Sequence, residues 1–131
     1  MPVSRAVSLG DISLELPAAE ESLLIVRLAA SGAAGSFDMD AVEDIKTAAN
    51  EACYLMLHQP LSSQRLRVVF TREDAAFVIR VFSLGERIKN PDRQCPDPEV
   101  CKMILETMTD DAEIEMEEGR IDAIRLSKKL P

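Results

Sequence analysis

Side chains that could carry out chemistry are few and widely spaced in this sequence. His58 is the only histidine, and no Ser or Cys is positioned beside it, so a Ser-His or Cys-His hydrolase is not expected. Cys53, Cys95 and Cys101 are odd in number and irregularly spaced, and Cys95 and Cys101 have no neighbouring His or third Cys. This pattern argues against both a zinc site and a disulfide framework, and it favours the reducing cytoplasm.

Carboxylates are the most concentrated chemical groups of the chain. Seven of them lie between Glu106 and Glu118 with no Lys or Arg among them: Glu106, Asp110, Asp111, Glu113, Glu115, Glu117 and Glu118. Such a run is typical of a solvated face, and it could also dock a basic partner. The formal net charge of -8 argues against a nucleic-acid partner, because phosphate binding needs clustered Lys and Arg.

Length and composition predict one domain that spans residues 1–131. The chain is 47% hydrophobic but only 4% aromatic, so its core must be largely aliphatic. No stretch reaches the roughly 18 apolar residues that a membrane span needs. The first residues are not followed by an apolar signal region, and we expect a cytoplasmic protein with no membrane partner.

Periodicity predicts the elements that must position these groups. Residues 12–16 alternate apolar and polar and indicate a half-buried strand that Pro17 closes. A strongly apolar helix is expected from Ser22 to about 34, and we expect most of it to be buried. The longest helix should begin after Asp38 or Asp40 and end near residue 57, and one apolar stripe should face the core: Val42, Ile45, Ala49, Ala52 and Met56.

Residue patterns in the second half of the chain predict four strands and one helix. Residues 66–71 and 76–82 should form an antiparallel hairpin, and 83–97 should form a polar loop. A helix from Pro98 to about 109 and two strands joined by a turn at 118–119 complete the order β-α-α-β-β-α-β-β. This order predicts an α+β, two-layer sandwich with helices on one face of a mostly antiparallel sheet.

Four strings in this order resemble a known family. They are Leu16-Pro17-Ala18, the helix segment 44–53, the segment 108–113 and the closing strand 123–130. Together they are similar to the anti-sigma regulatory factors and serine-protein kinases of the GHKL (histidine-kinase-like) ATPase superfamily, over nearly the whole chain. The resemblance implies the histidine-kinase-like ATPase fold.

The resemblance assigns two positions on the longest helix. Glu51 aligns with the acid that serves the family as general base, and it is either that base or a solvated helix carboxylate. Leu55 stands where the family has an Asn that binds Mg²⁺. A Leu side chain offers none of the oxygen ligands that magnesium requires, so no metal is expected at this position.

The nucleotide-binding positions of the family have also changed. Its Asp-x-Gly-x-Gly motif aligns with Ser83, Gly85 and Arg87, so the adenine-binding Asp and the second Gly are absent. Its phosphate-cradling Gly-x-Gly aligns with Glu99 and Cys101, which add bulk and a negative charge at a helix N-terminus. If each lost contact costs about 1–3 kcal/mol, ATP affinity should fall by several powers of ten, and no cofactor is expected.

The sequence therefore predicts a protein-interaction regulator that resembles an anti-sigma factor and no longer binds ATP. One alternative is an atypical ATP-dependent serine kinase of partner-switching signalling, which would use ATP and magnesium around Glu51 and Gly85. A second alternative is a structural subunit of a larger regulatory assembly. The resemblance implies a sigma factor or a STAS-domain anti-anti-sigma protein as partner and a possible homodimer through the first strand. The charged residues Arg87, Lys89 and Arg93 of the predicted loop are candidates for contacting that partner.

Overall fold

Five antiparallel strands and three helices form the fold of residues 2–89 and 94–131, which the computed structural model describes. The elements are, in chain order, β1 (Ile12–Pro17), α1 (Ser22–Ala33), α2 (Met39–Leu57), β2 (Leu61–Glu73), β3 (Ala76–Lys89), α3 (Pro98–Glu106), β4 (Asp111–Glu117) and β5 (Arg120–Lys129). The strands lie in the order β1-β2-β3-β5-β4. This arrangement confirms the predicted α+β class and the antiparallel sheet.

Local sequence signals fix most element ends. The Asp38 side chain accepts a hydrogen bond from the Ala41 backbone N–H and caps α2. Of the two alternatives predicted, Asp38 and Asp40, the cap is therefore Asp38. Asp97 caps α3 in the same way, ahead of Pro98 in the first turn. Glu118 and Gly119 both adopt positive φ (52° and 76°), which suits the tight turn that joins β4 to β5.

The helices cover one face of the sheet, and the chain's own N-terminal segment covers part of the other. The main core joins the apolar stripe of α2, including Ile45 and Met56, to inward-facing residues of the strands. On the outer face, Val3 packs in a small second cluster with Val69, Phe82 and Ala123, and only 3% of Val3 is exposed. Residues 2–11 therefore act as a strap across the outer face, a feature that the sequence did not indicate.

Two sequence-based expectations are wrong at this level. The polar loop expected over 83–97 begins later, because β3 continues as a strand to Lys89 and pairs with β2 as far as Leu61. Helix α1 is also less buried than its apolar sequence predicted. Its outward side exposes Leu24, Ile25 and Leu28 to 55%, 49% and 64%.

Within residues 2–89 and 94–131, no helix combines the length and the apolar character needed to cross a membrane.

Candidate functional site

Glu51 and Leu55, which align with the family's nucleotide site, lie in the C-terminal half of α2, near its contact with β5. Glu51 is half-buried one turn before Leu55, and Leu55 packs against the main core. The buried Gln59 side chain donates to the Leu55 carbonyl oxygen (2.7 Å) and accepts from the Ile121 N–H (3.0 Å). Leu55 therefore contributes hydrocarbon to the core, and its backbone helps to join α2 to the sheet.

The β3 positions lie within a strand and not in a loop. Ser63 pairs with Arg87 and Arg65 pairs with Leu84, so the two residues between them on β3 face a single residue of β2. This irregularity is a β-bulge, and Gly85 sits in it with φ of 83°, a backbone conformation that favours glycine. The conformation of Gly85 is thus explained by strand pairing alone.

Arg87 points to the outer face of the sheet, away from the helices. Its guanidinium donates to the Asp122 carboxylate at 2.7 Å. Asp122 lies at a second register shift, where Glu115 pairs with Ala123 and the next pair is Met116 with Ile121. A bulge of this kind turns an extra side chain onto one face. Because Arg87 faces outward while Glu51 belongs to the helical layer, the structure does not bring these two candidate residues together.

Asp122 is the centre of a charged cluster that sequence reasoning missed. Besides Arg87, its carboxylate accepts hydrogen bonds from Arg5 at 2.8 Å and from Arg120 at 3.0 Å. Arg5 also bonds to Glu115 at 2.6 Å, and this hydrogen bond is the main cause of the raised pKa of Arg5. In the sequence, these residues appear only as charged positions between apolar ones in the predicted strands. That pattern does not show which charged side chains lie close together in the fold.

Glu117 lies at the rim of this cluster. Its interaction with Asp122 raises the pKa of Glu117, first through a hydrogen bond between the two carboxyl groups and then through like charge. The nearby positive charge of Arg87 acts in the opposite direction on the pKa of Glu117, but more weakly than the contact with Asp122. The three arginines of the cluster, Arg5, Arg87 and Arg120, are all ion-paired with Asp122.

The α3 positions lie at a helix end that already has its own cap. The backbone N–H of Glu99 donates to the Asp97 carboxylate at 2.9 Å, so this donor is not free for a phosphate. Glu99 itself is exposed and adds a second negative charge there. Cys101 is buried on the inner side of α3, where burial, followed by the nearby Cys95 and Asp97, raises the pKa of its thiol.

The other side chains that could react, the cysteines and His58, are buried or partly buried by packing. Burial raises the pKa of Cys53 to about 12, so this thiol is not a nucleophile at neutral pH. All three cysteines are free thiols. His58 lies 3.0 Å from the Glu20 carboxylate, and its ring centroid is 4.1 Å from that of Tyr54. Within residues 2–89 and 94–131, no three His, Cys, Asp or Glu side chains are grouped to hold a metal ion.

Comparison with known proteins finds no family model and no curated protein that match this chain.

Of the seven positions that the resemblance singled out, Leu55, Gly85, Arg87 and Cys101 have packing or pairing roles. Glu51, Ser83 and Glu99 remain at least partly accessible. Arg93, one of the three basic residues expected to contact a partner, lies outside the described residues. Arg87 is engaged by Asp122, so it is not a free charge on a docking loop.

Proposed function

We propose that this chain is a protein-binding regulator that resembles an anti-sigma factor and acts without a nucleotide. The observation that carries the proposal is the extent of β3. Residues 83–89, where the family opens its nucleotide-binding loop, are paired with β2 instead, and Gly85 lies in the bulge of that pairing. Opening this segment to admit a nucleotide would break strand pairing and the Arg87–Asp122 ion pair.

The helix ends support the same proposal. Leu55 offers no oxygen to magnesium, and the Asp97 carboxylate occupies the first backbone donor of α3. The family that this chain resembles both uses ATP and binds partner proteins. Because these features disfavour ATP chemistry, we propose that the chain retains the binding of a partner protein. By resemblance the partner would be a sigma factor or a STAS-domain protein, in the cytoplasm, where the free thiols stay reduced.

Thermal unfolding with and without magnesium-ATP tests the proposal. A ligand at 100 times its Kd adds about 2.7 kcal/mol of stability, which is easily seen as a rise in Tm. We expect no rise with millimolar ATP and Mg²⁺. A rise that needs the metal would overturn the proposal, and phosphorylation of a partner protein that is lost in Glu51→Gln, which removes the general base, would favour the atypical serine kinase.

The protein-binding half of the proposal needs its own measurement. Titration of the purified chain with a purified sigma factor or STAS-domain protein from the same cell should give saturable binding that ATP does not change. Affinity purification followed by mass spectrometry would supply the candidates. Binding that appears only with nucleotide would contradict the proposed mode of action.

A further inference from the structure

Strand β4 is an open edge of the sheet. It pairs with β5 on one side, and no described residue pairs with it on the other. Alternate residues of such an edge direct their backbone N–H and C=O groups away from the sheet, where another strand can bind them. The seven residues of β4, Asp111–Glu117, are enough for a short added strand.

The side chains of β4 differ between its two faces. Glu113 and Glu115 project on the outer face, while Ala112 and Ile114 join the main core on the helix face. The bulge after Glu115 exposes Met116, 39% of which is accessible. An added strand would therefore meet carboxylates on one face and apolar groups on the other.

Two grooves provide room for the side chains of an added strand. One, of about 500 Å³, runs between α3 and β4 and is lined by Pro98, Glu99, Lys102, Glu113, Ile114 and Met116. The other, of about 620 Å³, lies between β4 and the N-terminal strap and is lined by Pro2, Arg5, Ile114, Glu115, Met116, Glu117 and Asp122. Both grooves share Ile114 and Met116 and have acidic rims.

The opposite edge of the same sheet shows the pairing chemistry that β4 lacks. There Glu15 of β1 lies directly across from Arg67 of β2, and the two side chains form an ion pair. That contact is the main cause of the lowered pKa of Glu15. Glu113 has a cationic cross-strand neighbour on one side only, Arg125 of β5. A cation on the other side would complete a row of alternating charge.

We propose that β4 binds an extended segment of a partner protein in which Lys or Arg alternates with apolar residues, by adding it as a sixth strand. A basic residue would lie beside Glu113, because Glu115 is already bonded to Arg5 and to the Val3 N–H. The apolar residues would lie against Ile114 and Met116. Acidic residues on an edge can also serve only to prevent aggregation. The apolar floor shared by the two grooves favours docking over simple protection, since a purely protective edge needs no such floor.

A synthetic peptide tests this proposal directly. Its sequence alternates Lys with Val or Ile, and its controls are a peptide of the same composition with the lysines in one block and an alternating Glu peptide. We expect only the alternating Lys peptide to bind the full chain, measured by fluorescence anisotropy. Glu113→Lys should weaken this binding by about tenfold or more through like-charge repulsion, with a smaller loss at high salt.

Asp44→Lys, on the exposed face of α2, changes the net charge by the same amount away from β4 and should leave the affinity within about twofold. Amide hydrogen exchange supplies the second readout, because strand addition should protect alternate backbone N–H groups within Asp111–Glu117. Protection confined to β1, equal loss in the two variants, or no binding of the peptide would overturn the proposal.

This inference rests on the proposed protein-binding function, and the two can fail separately. A magnesium-dependent rise in Tm with ATP would overturn the nucleotide-free mode of action and leave the β4 surface standing. Failure of the peptide experiment would remove the surface and leave the regulator proposal to its own test.

Discussion

At the scale of single residues, Asp122 is the carboxylate that forms the most ion pairs within residues 2–89 and 94–131, with three arginines around it. It joins the N-terminal strap through Arg5, strand β3 through Arg87 and its own strand through Arg120. Only 6% of its side chain is exposed, so water cannot replace these partners. Removing one partner of a buried ion pair costs more than the pair contributes, because the remaining charge is left without compensation.

Asp122→Asn should therefore lower the free energy of unfolding by about 3 kcal/mol, the lower end of the usual cost. The lower end applies because Arg5 and Arg87 are 45% and 28% exposed and can still reach water, whereas Arg120 is only 5% exposed. Urea unfolding followed by circular dichroism measures the difference. Asp44→Asn removes one exposed carboxylate and should change stability by less than about 0.5 kcal/mol. Equal effects of the two substitutions would contradict the central role of Asp122.

At the scale of elements, sequence patterns predicted what depends on local signals. The cap at Asp38, the buried stripe of α2 and the turn at Glu118–Gly119 all follow from residue types within a few positions of each other. The outer half of β3 did not follow, because Leu84 and Ile88 are its only apolar residues and are spaced four apart, and the β2 residues opposite are also mixed: Ser63 pairs with Arg87 and Ser62 pairs with Ile88. Neither stretch shows the apolar alternation that indicates a strand.

The candidate site was predictable to a smaller extent than the fold. The loss of oxygen ligands at Leu55 could be read from one residue. The role of Gly85 could not, because a bulge depends on which residue of β2 lies opposite. Asp122 was missed for the same reason, since its three arginines come from positions 5, 87 and 120 and meet only through strand pairing and the strap.

Substitutions at two glycines test whether the bulge in β3 requires glycine at position 85. Gly85→Ala should destabilise the protein by about 1–2 kcal/mol, because φ of 83° is strained for any residue with a Cβ. Gly32→Ala is the matched control, since Gly32 lies inside α1 and its added Cβ would also meet no atom within 4 Å. We expect this change to stabilise the protein by about 0.5–1 kcal/mol. Chemical denaturation measures both, and a neutral Gly85→Ala would contradict the bulge explanation.

At the scale of the whole molecule, two features bear on self-association. Strand β1 is the second edge of the sheet and exposes Ile12, and α1 exposes an apolar outward side at Leu24, Ile25 and Leu28. Several large apolar side chains exposed on one helix are a candidate contact surface, since a monomeric protein seldom leaves a large apolar patch open to water. The features lie on elements that are neighbours in the chain, so one contact could cover both.

We expect a homodimer with twice the 14.4-kDa mass of one chain, measured by light scattering at concentrations on the order of tens of micromolar. Leu28→Glu should shift the protein toward the monomer, because it would bury an unpaired charge in the contact. Met103→Glu, on the exposed side of α3, is the control and should leave the mass unchanged. A wild-type chain that scatters as a monomer throughout this range would rule the dimer out.

The strand order also has a consequence for the growing chain. Strand β5 is synthesised after β4 but lies between β3 and β4, so β4 has no partner until β5 exists. Until then β3 presents an unpaired edge beside core residues such as Phe77, Ile79 and Val81. A ribosome that stalls between the two strands would hold a chain with an apolar, unprotected edge, which is a template for aggregation. Translation through residues 118–129 is thus the interval in which we expect this protein to depend most on chaperones.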